Sequence, residues 1–486
     1  MNIKKIGVDA ISFYVPSLYL PIKDLAQKRN ISFEKLNLGL GLNKMAVADK
    51  NEDTASFAAN ALLSLINENK IDPKNIGRIY LGTESALDGA KPTSTYAVDA
   101  AEKILEELYG KRCLKNCDVL DMTFACVGGV DALHNSIDWV NAGKNRQAIV
   151  IASDIAKYDL NSTGEYTQGA GAVAMLIKEN PDILVFSGIW GIATKSESDF
   201  FKPRRLYNKI ELLKETLAEI KQPTNDEDIL SFLNNTSLEF WSDPNHKIEL
   251  FKEEPVFDGP FSNLCYQDRN TEALDHFKSQ QKLNVLKEWD HLIFHLPYAF
   301  QARRMLVKNW VSWLKDNNEI EKLYKEIDPP KGDQNEYNNW LKKVAKSNYY
   351  HEFISNKLKA GEKASSEIGN MYTASIFMSL LSLLSVSMEN KKEIADNKIG
   401  FFSYGSGSKS KVFEGIVQKK WKRKIKHVSL FSILNSRMKI TVDTYEKLHN
   451  RSLKDDYIKN NKIHLSHIET SGNKKGLRIY SSLNEN

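Results

Sequence analysis

Four short apolar runs alternate with segments of helical spacing in the first part of the chain, and this alternation constrains the fold most. Ile3–Phe13, Ile76–Gly82, Cys117–Met122 and Ala148–Ser153 predict strands, and Asp53–Asn67, Thr95–Leu108 and Gly128–Val140 predict helices. In the last of these, Val130, Leu133, Ile137 and Val140 recur at three and four residues and give one apolar face. Strands separated by helices argue for an α/β fold around a central sheet. Two lysines precede the opening apolar stretch, but Asp9 interrupts it and no small-residue cleavage site follows, so it reads as a strand rather than a signal peptide.

The second half opens less regularly and ends in a similar way. His291–His295 predicts a strand, Asn370 the start of a long apolar helix, and Lys398–Tyr404 another strand. Ala125-Cys126 and Gly369-Asn370 each introduce a helix, and GAGAVAMLI at 169–177 is echoed by GSGSKSKVF at 405–413. These echoes suit an ancient duplication, with halves 1–185 and 186–486. A chain of 486 residues also exceeds the usual single core. Two charged, Asn-rich stretches, 204–252 and 316–350, read as surface insertions, partly helical.

A net charge of +5 over this length permits a local anion site but excludes the strong basic bias of a nucleic-acid binder. The basic run KKWKRKIKH at 419–427 has only Trp421 interleaved and reads as a solvated face. The longest apolar segment, Ile376–Met388, is broken by serines and too short to span a bilayer. Four scattered cysteines (Cys113, Cys117, Cys126, Cys265) point to a reducing, cytoplasmic compartment, where the sequons at Asn161, Asn234 and Asn450 carry no weight. No metal or nucleotide motif is present.

Chemistry concentrates in three places. Cys126, between a strand and a helix and followed by Gly128-Gly129, stands beside a helix N-terminus, where thiolate is favoured and backbone N–H groups can bind an oxyanion. Taken alone it would read as a buried structural cysteine. Glu84 follows a strand, where ligand-binding loops gather, and suits removal of a proton from a methyl group beside a thioester; a lone loop glutamate would be merely solvated. His295, in LIFHLPYAF, stands at a strand terminus with Pro297 fixing the exit; a core histidine bonded to a carbonyl is the plainer reading. Asn370 can be a helix cap, and Ser406 a turn residue. Cysteine, histidine and asparagine suit decarboxylating or condensing thioester chemistry, and the glutamate narrows this to condensation by proton abstraction.

With these residues stand GTES at 82–85, DIAKYDLNSTGEYTQGAGAVAMLI at 154–177, DFFKP at 199–203, PVFDGPFSNLCY at 255–266, FHLPY at 294–298, IGNMYTAS at 368–375 and FFSYGSGS at 401–408. In this order the chain resembles the 3-hydroxy-3-methylglutaryl-CoA synthase family, and its TQGAGAVAML and YGSGS stretches are close to the bacterial form. The resemblance implies a thiolase-like five-layered αβαβα fold, a homodimer, and condensation of acetyl-CoA with acetoacetyl-CoA in the mevalonate route to isoprenoids. CoA thioesters are then substrates, and no cofactor or metal is implied. It makes Cys126 the acetylated nucleophile, Glu84 the general acid/base and His295 the residue that anchors the acetoacetyl thioester. Asn370 and Ser406 line the acyl pocket, and Tyr158 and Asp199 lie near the reacting centre.

Three departures stand out. The family's usual CoA-contacting lysines are here Phe300 and Arg304, with Arg303 adjacent, so the two arginines are expected to hold phosphate. Val127 follows the cysteine where a Tyr is common, and the two insertions lengthen the chain. The rival readings are a β-branching synthase acting on a carrier-protein-bound ketone, a decarboxylating ketoacyl synthase III, which Glu84 argues against, and a catalytically dead scaffold.

Overall fold

The computed structural model describes residues 4–242, 247–454, 457 and 463–482, so Ile3 of the predicted opening strand lies outside the described residues. The chain forms two compact units, one of Phe200–Asp258 and one of the remainder. The larger unit is built on nine strands: β1 (Ile6–Tyr14), β2 (Ile76–Gly82), β3 (Asp118–Met122), β4 (Gln147–Ile155), β5 (Ala170–Glu179), β6 (Leu184–Thr194), β7 (His291–Phe294), β8 (Lys398–Gly405) and β9 (Lys409–Val417). They form one mixed sheet in the order β7-β8-β9-β6-β1-β5-β4-β2-β3.

The strand order records the duplication. The first half runs 3-2-4-5-1 in its own chain order, and β6 to β9 repeat the pattern 2-4-5-1, without a third strand. Within the sheet, among the described residues, the halves join through two residue pairs, Gly7 with Val185 and Val8 with Leu184. Alternate side chains of each strand enter different cores, as a period of two requires. On β4, Ala148, Val150 and Ala152 face one cluster and Ile149 and Ile151 another.

Those clusters define five layers. Helices α1 (Thr54–Asn69) and α2 (Thr93–Tyr109) cover the outer face of the first half-sheet. Helices α3 (Gly128–Asn141) and α7 (Ser375–Glu389) pack between the inner faces of the two half-sheets, and α4 (Gly259–Gln280) covers the outer face of the second. Short α5 (Gln301–Met305) and α6 (Lys359–Ile368) lie between α4 and α7 in sequence. The 185/186 division falls inside β6, a strand of the common sheet.

Several expectations need correction. The segment 316–350 is no surface elaboration: Leu323, Trp340, Val344 and Tyr350 are buried in the core with Trp310. Its helix Gln334–Val344 carries Tyr337, Trp340, Leu341 and Val344 at i, i+3, i+4 and i+7, an apolar stripe masked by the surrounding charges. The basic run is not wholly solvated either. Trp421 is fully buried, Ile425 nearly so, and Lys422, Arg423 and Lys424 pair with Glu393, Asp182 and Asp9. Tyr372–Glu389 is apolar and long enough by composition to cross a membrane, but 83% of it is buried in the protein, so it is a core helix.

The smaller unit, Phe200–Asp258, contains a ribbon of Arg204–Asn208 with Lys247–Phe251 and helices Lys209–Glu219, Asp226–Asn235 and Glu239–Ser242, so this stretch is partly helical as expected. Residues 243–246 of the predicted insertion lie outside the described residues.

Candidate active site

Strand β3 ends at Met122 and α3 begins at Gly128, leaving a tight elbow that carries Cys126. Ala125 adopts φ +36°, a left-handed conformation costly for a residue with a side chain, directly before the cysteine. Val127 N donates to Phe124 O at 3.0 Å and closes the turn. Gly82 at the end of β2 packs on the start of α3 so closely that a Cβ there would lie 2.2 Å from Gly129 N. This contact brings the segment after β2 onto the nucleophile elbow. Two residues beyond Gly82, the buried Glu84 carboxylate accepts a hydrogen bond from the Cys126 thiol, Sγ to Oε2 3.3 Å.

Behind Glu84 stands Asp154, at the end of β4 and fully buried. Its Oδ1 accepts from Thr83 Oγ1 at 2.9 Å and Glu84 N at 2.8 Å, and its Oδ2 from Thr373 N at 3.0 Å and from the Thr373 hydroxyl. One carboxylate thus ties the Glu84 loop to the turn that leads into α7. Burial, and then the negative charge of Glu84, push Asp154 up to about 7. This residue was missed in the sequence. Its signal was there: an acid ending an otherwise apolar strand must find several donors to be buried at all.

Tyr158 and Tyr372 complete the wall around Cys126. Burial raises both phenols above the usual tyrosine range, with Cys126 and Glu84 adding to the rise. Tyr372 has φ +42°, a second left-handed residue beside the site. Asn370 does not begin α7, which starts at Ser375; its Oδ1 accepts from Tyr372 N at 2.9 Å and Ser375 Oγ at 3.1 Å. The side chain caps a short turn before the helix, which delays the helix start by five positions relative to the sequence reading.

His295 follows β7 and donates its backbone N–H to Phe402 O on β8 at 2.9 Å. Three residues on, Gly405 packs against the elbow, where a Cβ would lie 2.8 Å from Phe124 O. The end of β8 therefore runs from beside His295 to the nucleophile loop. The imidazole is almost fully buried, its Nδ1 has no hydrogen-bond partner among the described residues, and desolvation pushes it down to about 3. It is a neutral ring with an unused nitrogen, not a core histidine bonded to a carbonyl.

Asp199 is an anchor of the next turn. Its carboxylate accepts from Tyr404 Oη at 2.7 Å, Ser262 Oγ at 3.1 Å and Gly407 N at 2.9 Å. Ser406 is half-buried in that turn and hydrogen-bonded to Tyr404.

The two arginines have different roles from those expected of them jointly. Arg303 grips the buried Glu362 through two guanidinium nitrogens and lies 3.7 Å from the Phe300 ring centroid, so it is committed within the protein. Arg304 is exposed and lies 5.8 Å from the Tyr298 ring centroid; burial raises Tyr166 and Tyr298 above the usual tyrosine range, and the Arg304 charge opposes that rise. Phe300 packs against Gly41 where a second cation was expected. Among the described residues no group of three His, Cys, Asp or Glu side chains is suited to a metal ion.

A duplicated five-layer α/β body, with a cysteine at a strand-to-helix elbow and a carboxylate on its sulfur, defines a thiolase-like acyl-condensing enzyme. Residues 2–182 match the description hydroxymethylglutaryl-coenzyme A synthase N terminal, and residues 235–471 its C-terminal counterpart. The chain belongs to the hydroxymethylglutaryl-CoA synthase family. It is 29% identical over 452 residues to the hydroxymethylglutaryl-CoA synthase of Enterococcus faecalis, covering 93% of each chain. It is 27% identical over 456 residues to that of Haloferax volcanii, covering 91% of each. A solved structure of MvaS in complex with 3-hydroxy-3-methylglutaryl coenzyme A superposes with a TM-score of 0.75, at 25% identity and 99% coverage of both chains. The HMG synthase of the curacin biosynthetic pathway shares the fold, with a TM-score of 0.72 at 21% identity.

Proposed function

We propose that the protein condenses acetyl-CoA with acetoacetyl-CoA to give 3-hydroxy-3-methylglutaryl-CoA and free CoA. The Cys126 thiolate attacks the acetyl carbonyl, and CoA leaves as its thiol after taking up a proton. Glu84 removes a proton from the methyl group of acetyl-Cys126, and the resulting enolate adds to the ketone carbon of acetoacetyl-CoA. The alkoxide takes up a proton, and water cleaves the enzyme thioester to release the product carboxylate and regenerate the thiol. His295, neutral and with an unused ring nitrogen, suits the acceptor thioester and its ketone.

The observation that carries this reading is the 3.3 Å contact of Glu84 with the Cys126 sulfur. A carboxylate touching the sulfur is within reach of the methyl of any acetyl group placed on it, and a decarboxylating enzyme would need no such base. Purified protein incubated with both thioesters should yield the six-carbon product by mass spectrometry. Acetyl-Cys126 formation without that product would remove the reading.

A second reading is favoured by Phe300 and by the capture of Arg303, which leave fewer cations for CoA phosphates. On it, the acceptor ketone is carried on a protein; acetoacetyl-carrier protein turned over in preference to acetoacetyl-CoA would establish it. The proposed enzyme works without a cofactor, in the cytoplasm and in the mevalonate route, a compartment that suits its four unbridged cysteines. It acts as a homodimer, for which the outer edge of β3, with Leu120 41% exposed, offers a strand to pair.

A further inference from the structure

A second charged group lies beside the nucleophile helix and takes no part in the chemistry above. Asp131, one turn into α3, receives Lys409 Nζ on Oδ2 at 2.5 Å and Lys411 Nζ on Oδ1 at 2.8 Å. The three side chains are 14%, 16% and 7% exposed, so solvent screens these pairs weakly. Lys411 also donates to His134 Nδ1 at 2.9 Å, which places the imidazole proton on Nε2. Burial first, then Lys411, hold that ring down at about 4, and it stacks on Trp190 with centroids 4.0 Å apart. Among the shielded groups, two cations, one anion and a neutral ring leave one net positive charge; Asp138 faces them 3.7 Å from His134 Nε2, but it is 69% exposed and screened by solvent.

The placement of Lys409 gives the cluster a function. It opens β9 and pairs across the hairpin with Gly405. Gly405 touches the elbow backbone, where a Cβ would lie 2.8 Å from Phe124 O and 2.9 Å from Val127 N. The Lys409 ammonium lies over the Phe124 ring, 4.0 Å from its centroid. Residues 124–127 are thus held by β8 through backbone contact and by β9 through a cation, while Asp131 fixes that cation to the helix following the elbow. An acid in the first turns of a helix opposes the positive end that favours a thiolate. Here the two lysines more than cancel it.

Resting on the assignment of Cys126 as nucleophile, we propose that Asp131, Lys409 and Lys411 form a charged clamp that holds the nucleophile elbow in register with turn 405–408 and supplies net positive charge favouring the Cys126 thiolate. These are positioning residues. The groups that face the sulfur are Glu84 from the segment after β2, Tyr158 beyond β4 and Tyr372 from the turn before α7, with Asp154 behind Glu84. The carboxylates disfavour a thiolate, the phenols carry no charge, and the clamp opposes the carboxylates.

The test uses iodoacetamide alkylation of Cys126 in the full chain across pH, followed by peptide mass mapping, which needs no substrate. Lys409→Met should move the midpoint of alkylation up by roughly half a unit to one unit. Lys409→Arg should leave it in place. Lys409→Met should also slow acetylation by acetyl-CoA about tenfold with its melting temperature within a few degrees of wild type. The pair Asp131→Asn with Lys409→Met removes one charge of each sign; its midpoint should return towards wild type while acetylation stays slow, because the clamp is gone. An unmoved midpoint in Lys409→Met would overturn the proposal, as would equal shifts in the Met and Arg variants. If the wild type makes no six-carbon product, the functional reading fails while the alkylation result still stands or falls by itself.

Discussion

The thiol of Cys126 donates to Oε2 of Glu84 across 3.3 Å, so nucleophile and base are already in contact before substrate arrives. Acylation of the sulfur removes that donor, puts the acyl carbonyl carbon in place of the proton and brings the acyl methyl within reach of the carboxylate. The carboxylate can then act only on carbon.

Glu84→Ala should therefore still form acetyl-Cys126, but should neither condense it nor exchange its methyl protons with deuterated solvent. The loss in condensation should be roughly 10²–10⁴-fold. Near wild-type turnover would transfer the base to another residue and favour a decarboxylating enzyme.

Acetylation should be confined to one cysteine. Burial pushes Cys117 up to about 12 and Cys265 up to about 11, and raises Cys113 as well, whereas Cys126 has a helix start beside it. Intact-mass measurement should show one acetyl adduct on the wild type and on the variant with the other three changed to serine. Cys126→Ser should show none.

Asp154→Asn keeps the shape but removes the charge facing Glu84 and turns one acceptor into a donor towards Thr373. The Glu84 loop loses an anchor, so condensation should fall at least about tenfold with acetylation much less affected. Equal loss in both half-reactions would show a general packing defect instead.

The arginines should separate. Arg304→Ala should raise KM for the CoA acceptor with stability unchanged. Arg303→Ala leaves Glu362 buried without its cation and should cost about 3 kcal/mol in chemical denaturation. The reverse pattern would assign phosphate binding to Arg303.

His295 should not titrate between pH 5 and 8 when followed by NMR, because burial holds it at about 3. Its folded value lies below the ordinary histidine value, so its contribution to stability is full above about pH 6.5 and is lost as pH falls towards 3. In that window the wild type should lose up to about 1.4 kcal/mol per pH unit more than His295→Gln. Identical acid slopes would mean that water reaches the ring.

Much of the body was readable because its strands carry their own periodicity. Ile76–Gly82 was bounded as the structure has it, and α3 starts at the predicted glycine, since a strand, a glycine pair and an apolar stripe each point to the same place. What depends on distant partners was not readable. The cap formed by Asn370 requires knowing that Tyr372 turns left-handed. The capture of Arg303 by Glu362 joins residues far apart in sequence, so adjacency to Arg304 was a poor guide to a shared role. Trp340 and Val344 lay in so polar a stretch that composition outweighed spacing.

The larger unit is interrupted between Asp199 and Gly259, and the chain leaves and re-enters it beside a single hydrogen bond, Ser262 to Asp199 at 3.1 Å. A junction whose two ends already meet makes few demands on what is threaded through it, because closing a longer loop adds cost only logarithmically with its length. The position thus behaves as a socket. A tether or a reporter grafted there would leave the hold of Asp199 on Tyr404 and Gly407 in place.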